Sequence, residues 1–234
     1  WCCLVGSEMC IRDRANRGEP PEDLIPQFEL IREAVDAFSV SRLEMPGYEA
    51  DDLIATYSKF FTKIGWDISI ISSDKDLMQL VSNKVHMLDP IKNKLIKRQE
   101  VIEKFGVPPE KVIDVQSLAG DSIDNIPGAP GIGIKTGALL VNEYGSLESL
   151  LLNYSKIKQN KRRESIEKNL DAIKISKKLV TLKDDIELNI DIDKISDCEI
   201  NTKKLIPFLE EHGFNNLKSR LMKKADNITD HTKQ

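Results

Sequence analysis

The order of apolar and polar positions predicts that helices and strands alternate in the first half of the chain. Apolar residues recur along one side of 20–38, as in a helix, and "RLEM" after it is a short strand candidate. A Pro-Gly turn leads into a helix over 49–64, and the β-prone run "DISIIS" (67–72) follows as a strand. A short helix over 74–81 and a strand "KVHML" come next. This alternation predicts an α/β layer with a mainly parallel sheet.

The second half is predicted to consist of helices joined by Gly/Pro loops. These helices cover 98–105, 109–119, 134–144, 146–152 and 162–179. Two short strand candidates, "VTLK" and "IELNI", are followed by helices over 202–212 and 215–224 and by a polar tail. We therefore expect one compact unit with an α/β half and a helical half.

Composition excludes several classes of protein. Of the 234 residues, 40% are hydrophobic and 31% are charged, a soluble globular balance. No apolar run approaches the roughly 20 residues that cross a bilayer, so no membrane association is expected. The opening "WCCLVGSEMCIRDR" lacks the basic segment of a signal peptide and holds three of the four cysteines. That distribution is neither a disulfide framework nor a zinc pattern, and it favours a reducing cytoplasm.

The net charge of −4 argues only weakly against nucleic acid, because the charges are unevenly distributed. Between Asn153 and Lys178 there are nine Lys and Arg residues against three acids. Such a stretch is either a solvated helix face or a surface for phosphates.

Acidic residues form three groups beside glycines or strand ends. The first begins the predicted helix 49–64, the second follows the strand 67–72, and the third lies in "GDSIDNIPG". The seven acids are Glu49, Asp51, Asp52, Asp74, Asp76, Asp121 and Asp124. Favourable charges at a helix N-terminus, or caps and turns, account for some of them. They do not account for both members of each pair.

Seven carboxylates in three such clusters are costly unless a cation neutralises them. Hard divalent ions such as Mg²⁺ take oxygen ligands, and two such ions about 3.5–4 Å apart clamp the oxygens in phosphodiester hydrolysis. Lys75 is a candidate for balancing this charge or contacting a phosphate, although a solvent-facing lysine is the commoner case. The three histidines are scattered along the chain, which argues against a histidine-centred site.

The stretch "IPGAPGIGIKTG" is a candidate phosphate cradle. Gly131, Ile132 and Gly133 can aim consecutive backbone N–H groups at a phosphate beside a helix N-terminus. Lys135 and Thr136 stand in the first helical turn, within reach of the same anion. We also expect Gly133 to need a φ that a β-branched residue cannot adopt. The alternative is a tight turn between two helices.

Four motifs together resemble the 5′-nuclease domain of bacterial DNA polymerase I, which belongs to the flap endonuclease family. They are "ANRGEPPEDL", "GYEADD", "SSDKDLMQL" and "GDSIDNIPGAPGIGIKT", and the resemblance covers about residues 15 to 224. It implies a PIN-like α/β nuclease core with a helix–hairpin–helix element. It also implies 5′–3′ exonuclease and 5′-flap endonuclease activity on DNA, in replication and repair, by hydrolysis with two Mg²⁺ or Mn²⁺ ions.

Site residues follow from the resemblance position by position. All seven acids above match the family's metal ligands, with Asp51 and Asp74 as the catalytic pair. Arg17 matches a basic residue at the base of the arch that admits the 5′ strand. The hairpin Gly131–Gly133 matches the element that holds the duplex backbone, often with a bound K⁺ in the family. The expected DNA-binding set is Arg17, Lys75, Gly131, Ile132, Gly133, Lys135 and Thr136.

The chain departs from the family at its start, where the family has a strand ending in another metal-binding Asp. Residues 1–14 match nothing in the family and are interpreted as a non-native leader. The expected domains are a core over 15–100 without its first strand, a helix–hairpin–helix and C-terminal helical part over 101–224, and a tail over 225–234. Without the missing acid, we expect the 234-residue chain to cleave flaps negligibly.

The resemblance also implies partners and a location. The expected partner is DNA with 5′ flaps, nicks or branches, together with polymerase domains in the same intact chain. The expected location is the bacterial cytoplasm, associated with the nucleoid. Two other functions stay open: a non-catalytic duplex-binding module, and a PIN-like ribonuclease, against which the hairpin argues.

Overall fold

The computed structural model describes residues 21–188 and 201–222, which form parts of two compact units. The larger unit contains Met45–Glu187, and the smaller one contains the described parts of Gly18–Glu44 and Leu188–Gln234. The single unit expected from the sequence is therefore wrong, because the first described helix packs with the last ones around a separate small core. Arg17, the leader 1–14 and the tail 225–234 lie outside the described residues.

Nine α-helices and three β-strands have defined bounds in the described part of the chain. The helices are α1 (Gln27–Ala37), α2 (Ala50–Lys63), α3 (Arg98–Phe105), α4 (Val112–Ala119), α5 (Ile134–Tyr144), α6 (Leu147–Asn153), α7 (Asn160–Lys168), α8 (Leu170–Val180) and α9 (Thr202–Glu211). The strands are β1 (Ile68–Ile71), β2 (Val85–Asp89) and β3 (Lys94–Ile96). Residues 215–222 are also helical. None of the described helices combines the length and apolar character needed to span a membrane.

The strands form one sheet in the order β1-β2-β3. β1 pairs with β2 in parallel, with Ile68 opposite Val85, whereas β2 pairs with β3 in antiparallel, with Met87 opposite Ile96. The sequence predicts β1 and β2 but misses β3, whose three residues are too short to show a period. In place of a mainly parallel sheet, the described strands therefore form a mixed one beside the predicted helices.

Several predicted elements take a different form. "RLEM" and the described part of "VTLK" and "IELNI" have no strand partner, and hydrogen bonds to side chains fix residues 180–183 instead. The predicted helix 74–81 is a 3-10 helix over Asp76–Leu80. The predicted helix 162–179 is divided into α7 and α8 by Asn169.

The core of the larger unit joins the sheet to the helical half. Met87 of β2, Val101 of α3, Leu118 of α4 and Ile166 of α7 are fully buried in one cluster. Each side chain of this size contributes about 1.5–3 kcal/mol when it is removed from water. This shared core fixes the end of β1 relative to α4 and the loop after it, and those segments carry the predicted acids.

Helix α2 begins where the sequence predicts. Glu49 is its N-cap in extended conformation, with φ −83° and ψ 159°, and Asp51 and Asp52 stand in the first turn. Leu53, Ala55 and Phe61 are buried on one side. The helix dipole favours acids at this end, but it does not explain why three of them are adjacent.

Candidate metal and nucleic-acid site

The acids of α2 and those of the loop after β1 act on one another electrostatically. Asp51 is half-buried, and its pKa is raised to about 6, first by burial and then by the carboxylates of Asp74, Glu49, Asp76 and Asp52. Burial disfavours the charged carboxylate, and the contributions of Asp74 and Asp76 show that the two acidic groups are close enough to repel each other. The structure therefore brings the first and second predicted groups to one place.

A turn after β1 fixes the second group. The Asp74 N–H donates to Ser72 Oγ (3.0 Å), and Asp74 Oδ1 accepts from the Asp76 N–H (2.9 Å). Asp74 therefore forms a turn, which is one of the structural explanations for these acids. The turn uses the backbone N–H of Asp76 and does not involve the Asp76 side chain. The pKa of Asp76 is raised, first by burial and then by Asp74, although the Gln116 side-chain amide donates to its Oδ1.

The third group is joined to the second through Lys75. Asp121 forms an ion pair with Lys75 and accepts the Ile123 N–H at Oδ1 (2.9 Å). Burial alone would raise the pKa of Asp121, but its hydrogen bond with Lys75 lowers that pKa below its ordinary value. Asp124 contributes negative charge to both Lys75 and Asp76. Asp76 therefore lies between the acids of α2 and those of the loop after α4.

The ion pair with Asp121 also favours the charged form of Lys75. Burial alone would lower the pKa of its ammonium group, but the hydrogen bond that this group donates to Asp121 and the charges of Asp121, Asp76 and Asp124 raise that pKa. The lysine is thus a cation held among carboxylates and only partly exposed. Lys75 is therefore not simply a solvent-facing lysine, because it pairs with Asp121 while part of its side chain stays exposed.

Asp52 has a structural partner. Its Oδ1 accepts the backbone N–H of Lys183 (2.8 Å), and Thr56 Oγ1 lies 3.1 Å from the Lys183 carbonyl oxygen. Gln79 holds the same segment, because its side-chain amide donates to the Val180 carbonyl (2.9 Å). These contacts hold residues 180–183 against α2 and the 3-10 helix. They explain why the predicted strand "VTLK" does not pair with another strand in the described part of the chain.

The donor chemistry of the acids fits a hard divalent cation. Within residues 21–188 and 201–222, no three Asp, Glu, His or Cys side chains are grouped closely enough to hold an ion as they stand. The raised pKa of Asp51 nevertheless shows repulsion that a cation would relieve, and carboxylate oxygens are the ligands that Mg²⁺ and Mn²⁺ prefer. The assignment of individual acids as metal ligands stays a prediction.

The hairpin between α4 and α5 is anchored from behind. The Gly128 N–H donates to Ser176 Oγ (2.9 Å), and Ser165 Oγ donates to the Pro130 carbonyl (2.7 Å). Ile132 is almost fully buried, so it inserts the tip of the hairpin into the core. The segment that the sequence predicts as a phosphate cradle is therefore held from three sides.

The outer surface of the hairpin is open. A Cβ atom added at Gly131 or Gly133 would have no described atom within 4 Å. Gly131 has φ +78°, which favours glycine, whereas Gly133 has φ −89° and extended backbone. The expectation that Gly133 needs an unusual φ is wrong, because it is Gly131 that makes the left-handed turn.

Helix α5 presents an electropositive end at this surface. Gly133 is its N-cap, and among the described residues no side chain caps it. Its first turn holds no acid, and Lys135 is exposed there beside the half-buried Thr136. Uncapped N–H groups and the helix dipole favour an anion at this position.

Sequence reasoning misses two residues of the acidic site. Gln116 is buried in α4 and holds Asp76, and one atom of its amide, Oε1, is buried without a described partner. Lys104 of α3 is close enough to feel the charges of Asp74 and Asp76, although its pKa is lowered, first by burial and then by Lys75. Neither residue belongs to a motif, so only the tertiary fold reveals them.

Comparison with protein families identifies two matching domain models that together cover residues 7–203. Residues 7–106 match "5'-3' exonuclease, N-terminal resolvase-like domain", and residues 107–203 match "5'-3' exonuclease, C-terminal SAM fold". The expectation that residues 1–14 match nothing in the family is therefore wrong for residues 7–14, which the first model includes. These descriptions confirm the predicted combination of an α/β half with a helical half.

Curated relatives include a DNA polymerase I from Rhizobium leguminosarum, 52% identical over 213 residues. The match covers 91% of this chain but 21% of that polymerase, so the chain spans about a fifth of its length. A 5'-3' exonuclease from Aquifex aeolicus is 35% identical over 215 residues, which are 92% of this chain and 72% of that protein.

Solved structures share the fold. The T5 D15 protein co-crystallised with metal ions gives a TM-score of 0.67 at 22% identity, covering 87% of this chain and 77% of that one. A complex of the T5 D15 flap endonuclease with DNA and metal ions also gives 0.67, at 21% identity, covering 88% and 79%.

The unusual pKa of Asp51 predicts how stability depends on pH without divalent ions. The folded protein keeps this proton up to about pH 6, whereas an ordinary carboxyl releases it near 3.8, so the folded state binds more protons between these values. The free energy of unfolding should therefore fall as pH rises through this window. Asp51→Asn should remove most of that fall, measured by urea denaturation in EDTA at several pH values.

Asp52→Asn is the matched control, because an asparagine Oδ1 still accepts the Lys183 N–H. This variant should retain most of the fall in stability. If Asp51→Asn shows the same pH dependence as the native protein, the electrostatic description of the acidic site is wrong.

Proposed function

The chain belongs to the 5′–3′ exonuclease family, and from this premise we propose that it is a metal-dependent nuclease that hydrolyses DNA at 5′ ends and 5′ flaps. The observation that carries the proposal is the meeting of three acidic groups, in which the pKa values of Asp51 and Asp76 are both raised, first by burial and then by neighbouring carboxylates. A site of this kind is expensive to maintain unless it binds a cation. The relatives described as 5'-3' exonuclease and flap endonuclease support the reaction class.

The acids of α2 and of the loop after β1 would hold one part of the metal site, and Asp121 and Asp124 the other. Bound Mg²⁺ or Mn²⁺ would supply charge neutralisation at the phosphodiester and an activated water. With a pKa of about 6, Asp51 is deprotonated at neutral pH and available as a ligand. Gln116 orients Asp76, and Asp52 keeps α2 fixed to the segment after α8.

Lys75 would contact the substrate. Its ammonium group pairs with Asp121 at the edge of the acidic site and is partly exposed. If Asp121 served as a ligand of a bound cation, its attraction for Lys75 would weaken, and Lys75 would then be available to bind a phosphate oxygen. Its raised pKa keeps it protonated for this purpose at neutral pH.

The hairpin would hold the duplex. The open surface at Gly131 and Gly133 lets backbone approach a phosphate closely, and Lys135 adds a positive charge. Contacts of this type set position and carry no base information. A K⁺ ion at the hairpin belongs to the same proposal. It would have to share the Ala129 and Pro130 carbonyls, which already accept hydrogen bonds, or use other oxygens.

The proposal extends to the intact protein. A match to one fifth of a DNA polymerase I supports a nuclease domain that shares its chain with polymerase domains. A location in the bacterial cytoplasm, associated with the nucleoid, is part of the same proposal. In this setting, flaps and nicks from replication and repair are the substrates.

A non-catalytic duplex-binding module is the second candidate. It is favoured by one observation, the lack of a preformed group of three metal-binding side chains within the described ranges. A module of this kind would bind duplex through the hairpin, and its acids would have no role. The repulsion between those acids would then be difficult to explain.

Cleavage of a 5′-labelled flap DNA, with Mg²⁺ and with EDTA, tests the proposal. The assay compares the 234-residue chain with a version in which a family-type N-terminus replaces residues 1–14. The second version should cleave only with the metal. In it, Asp51→Asn or Asp74→Asn should lower the rate by at least about 100-fold, since even a lost outer-shell contact costs 10–100-fold.

Asp52→Asn, which keeps the contact to Lys183, is the control and should lose less activity. Full cleavage by both the Asp51 and Asp74 variants would refute the metal-site assignment. Duplex binding without any cleavage would support the second candidate, and cleavage of RNA in preference to DNA would support a PIN-like ribonuclease.

Two glycine variants test the hairpin. Gly133→Ala places its methyl group in open space on extended backbone, so the thermal midpoint should not change. Duplex affinity should nevertheless fall equally for all sequences, because the methyl group obstructs the approach to phosphate. Gly131→Ala should instead destabilise the protein by about 1–2 kcal/mol, since φ +78° is unfavourable for alanine. Unchanged affinity in folded Gly133→Ala would make the hairpin a simple inter-helix turn.

A further inference from the structure

An apolar groove lies between α6 and α8 of the larger unit. Leucines of both helices line it, namely Leu147, Leu151 and Leu152 of α6 and Leu170 of α8, and its volume is about 550 Å³. The surface that it exposes is mostly apolar. Leu152 keeps 84% of its surface exposed, so the groove offers an apolar contact that the described part of the chain does not cover.

Lysines of α8 line the same groove. Lys174, Lys177 and Lys178 follow Leu170 at the spacing of one helix face. The other side of α8 is the packed one, because Ile173 is fully buried in the core of the larger unit. The groove therefore combines an apolar lining with three positive charges on one side.

A buried carboxylate of α4 fixes the two walls of the groove. Asp114 accepts the Leu147 N–H at Oδ2 (3.0 Å), and its Oδ1 accepts from the Lys177 ammonium group (3.3 Å). Lys177 also forms an ion pair with Glu148, the carboxylate of the groove lining. The groove is thus formed before any partner binds, which reduces the cost of ordering it on binding.

Two of the three lysines are available for a ligand. Lys178 is exposed and has no ion-pair partner within the described ranges. Lys174 lies 3.4 Å from Asp171 Oδ1, but both side chains are largely exposed, and surface pairs of this kind contribute little. Lys177 differs from them, because its charge is already used by Asp114 and Glu148.

We propose that this groove is a docking site for an acidic amphipathic helix of a partner protein. Apolar side chains at positions i, i+3, i+4 and i+7 of that helix would cover Leu151 and Leu152. Its carboxylates would pair with Lys174 and Lys178, which gives the complex its register. Duplex DNA is a poorer match, because it presents phosphates on its outside and no apolar side chains that could fill the groove.

The position of the groove on α8 leaves the hairpin accessible. Ser176 accepts a hydrogen bond from the Gly128 N–H (2.9 Å), so this side of α8 faces the loop of the hairpin. Lys174 and Lys178 are each two residues from Ser176 and therefore lie about 160° round the helix from it. A partner in the groove and a duplex on the hairpin would accordingly contact opposite sides of α8.

Fluorescence anisotropy with a labelled synthetic peptide of about 18 residues, with leucines along one helix face and glutamates elsewhere, tests the groove. The native 234-residue chain should bind it at least about tenfold more tightly than a peptide with the same residues in scrambled order. Lys174→Glu/Lys178→Glu should weaken binding by at least about tenfold, because like charges would then face each other. Leu152→Gln should weaken it by about fivefold or more. Lys174→Arg/Lys178→Arg should retain the native affinity.

Lys203→Glu/Lys204→Glu is the matched control, because it reverses two exposed charges on α9 of the smaller unit. At about 0.15 M salt, where distant charges are screened, it should change the affinity by less than about twofold. Circular dichroism checks that every variant is folded. None of these measurements requires metal or cleavage, so they stand apart from a failure of the proposed nuclease function.

Four results would overturn the proposal. The native chain could bind both peptides equally or bind neither, the two charge-reversal variants could weaken binding equally, or Leu152→Gln could leave the affinity unchanged. In the fourth, Lys174→Glu/Lys178→Glu would leave peptide binding intact and weaken duplex DNA binding instead, and the lysines would then belong to a nucleic-acid surface.

Discussion

Repulsion between carboxylates is the constraint on which the site depends. The start of α2, the turn after β1 and the loop after α4 each place acids in one region, and Asp51 responds with a pKa of about 6. The fold maintains this repulsion with fixed contacts, namely the Ser72–Asp74–Asp76 turn, the Gln116 amide on Asp76 and the Lys75–Asp121 ion pair. A protein that stabilises such an arrangement without a cation would lose stability for no benefit, so the arrangement itself argues for metal binding.

A second system of contacts connects this site to the hairpin. Helix α4 carries Gln116 at the acids and ends immediately before the loop that leads to Gly131. Close approach of Gly128 to Gly120 closes that loop, since a Cβ atom at Gly128 would lie 2.4 Å from the Gly120 nitrogen. Ser165 and Ser176 then hold the loop from α7 and α8. The acidic site and the hairpin proposed to bind duplex therefore lie at the two ends of one connected segment, which would suit cleavage at a fixed distance from bound duplex.

Much of this was predictable because the informative residues lie close together in the sequence. Acids at a helix start, acids after a strand and a Gly-rich loop before a helix are local patterns, and they identify all seven acids and both hairpin glycines as candidates, whose roles stay predictions. Gln116 and Lys104 were not predictable, because a glutamine or lysine inside a helix has no distinctive pattern until tertiary packing brings it to Asp76. The antiparallel β3 and the extended segment 180–183 were missed for the same reason, since pairing partners, not periodicity, decide their form.

Carboxyl NMR titration of Asp51, with and without saturating Mg²⁺, tests the central claim most directly. The account predicts a pKa of about 6 in the metal-free protein and a clear decrease when Mg²⁺ is bound, because the cation stabilises the charged carboxylate. Asp185, an exposed carboxylate paired with Lys183, should keep the same pKa in both conditions and serves as the reference group. An Asp51 pKa that does not change with Mg²⁺, or that lies near 3.8 from the outset, would contradict the account.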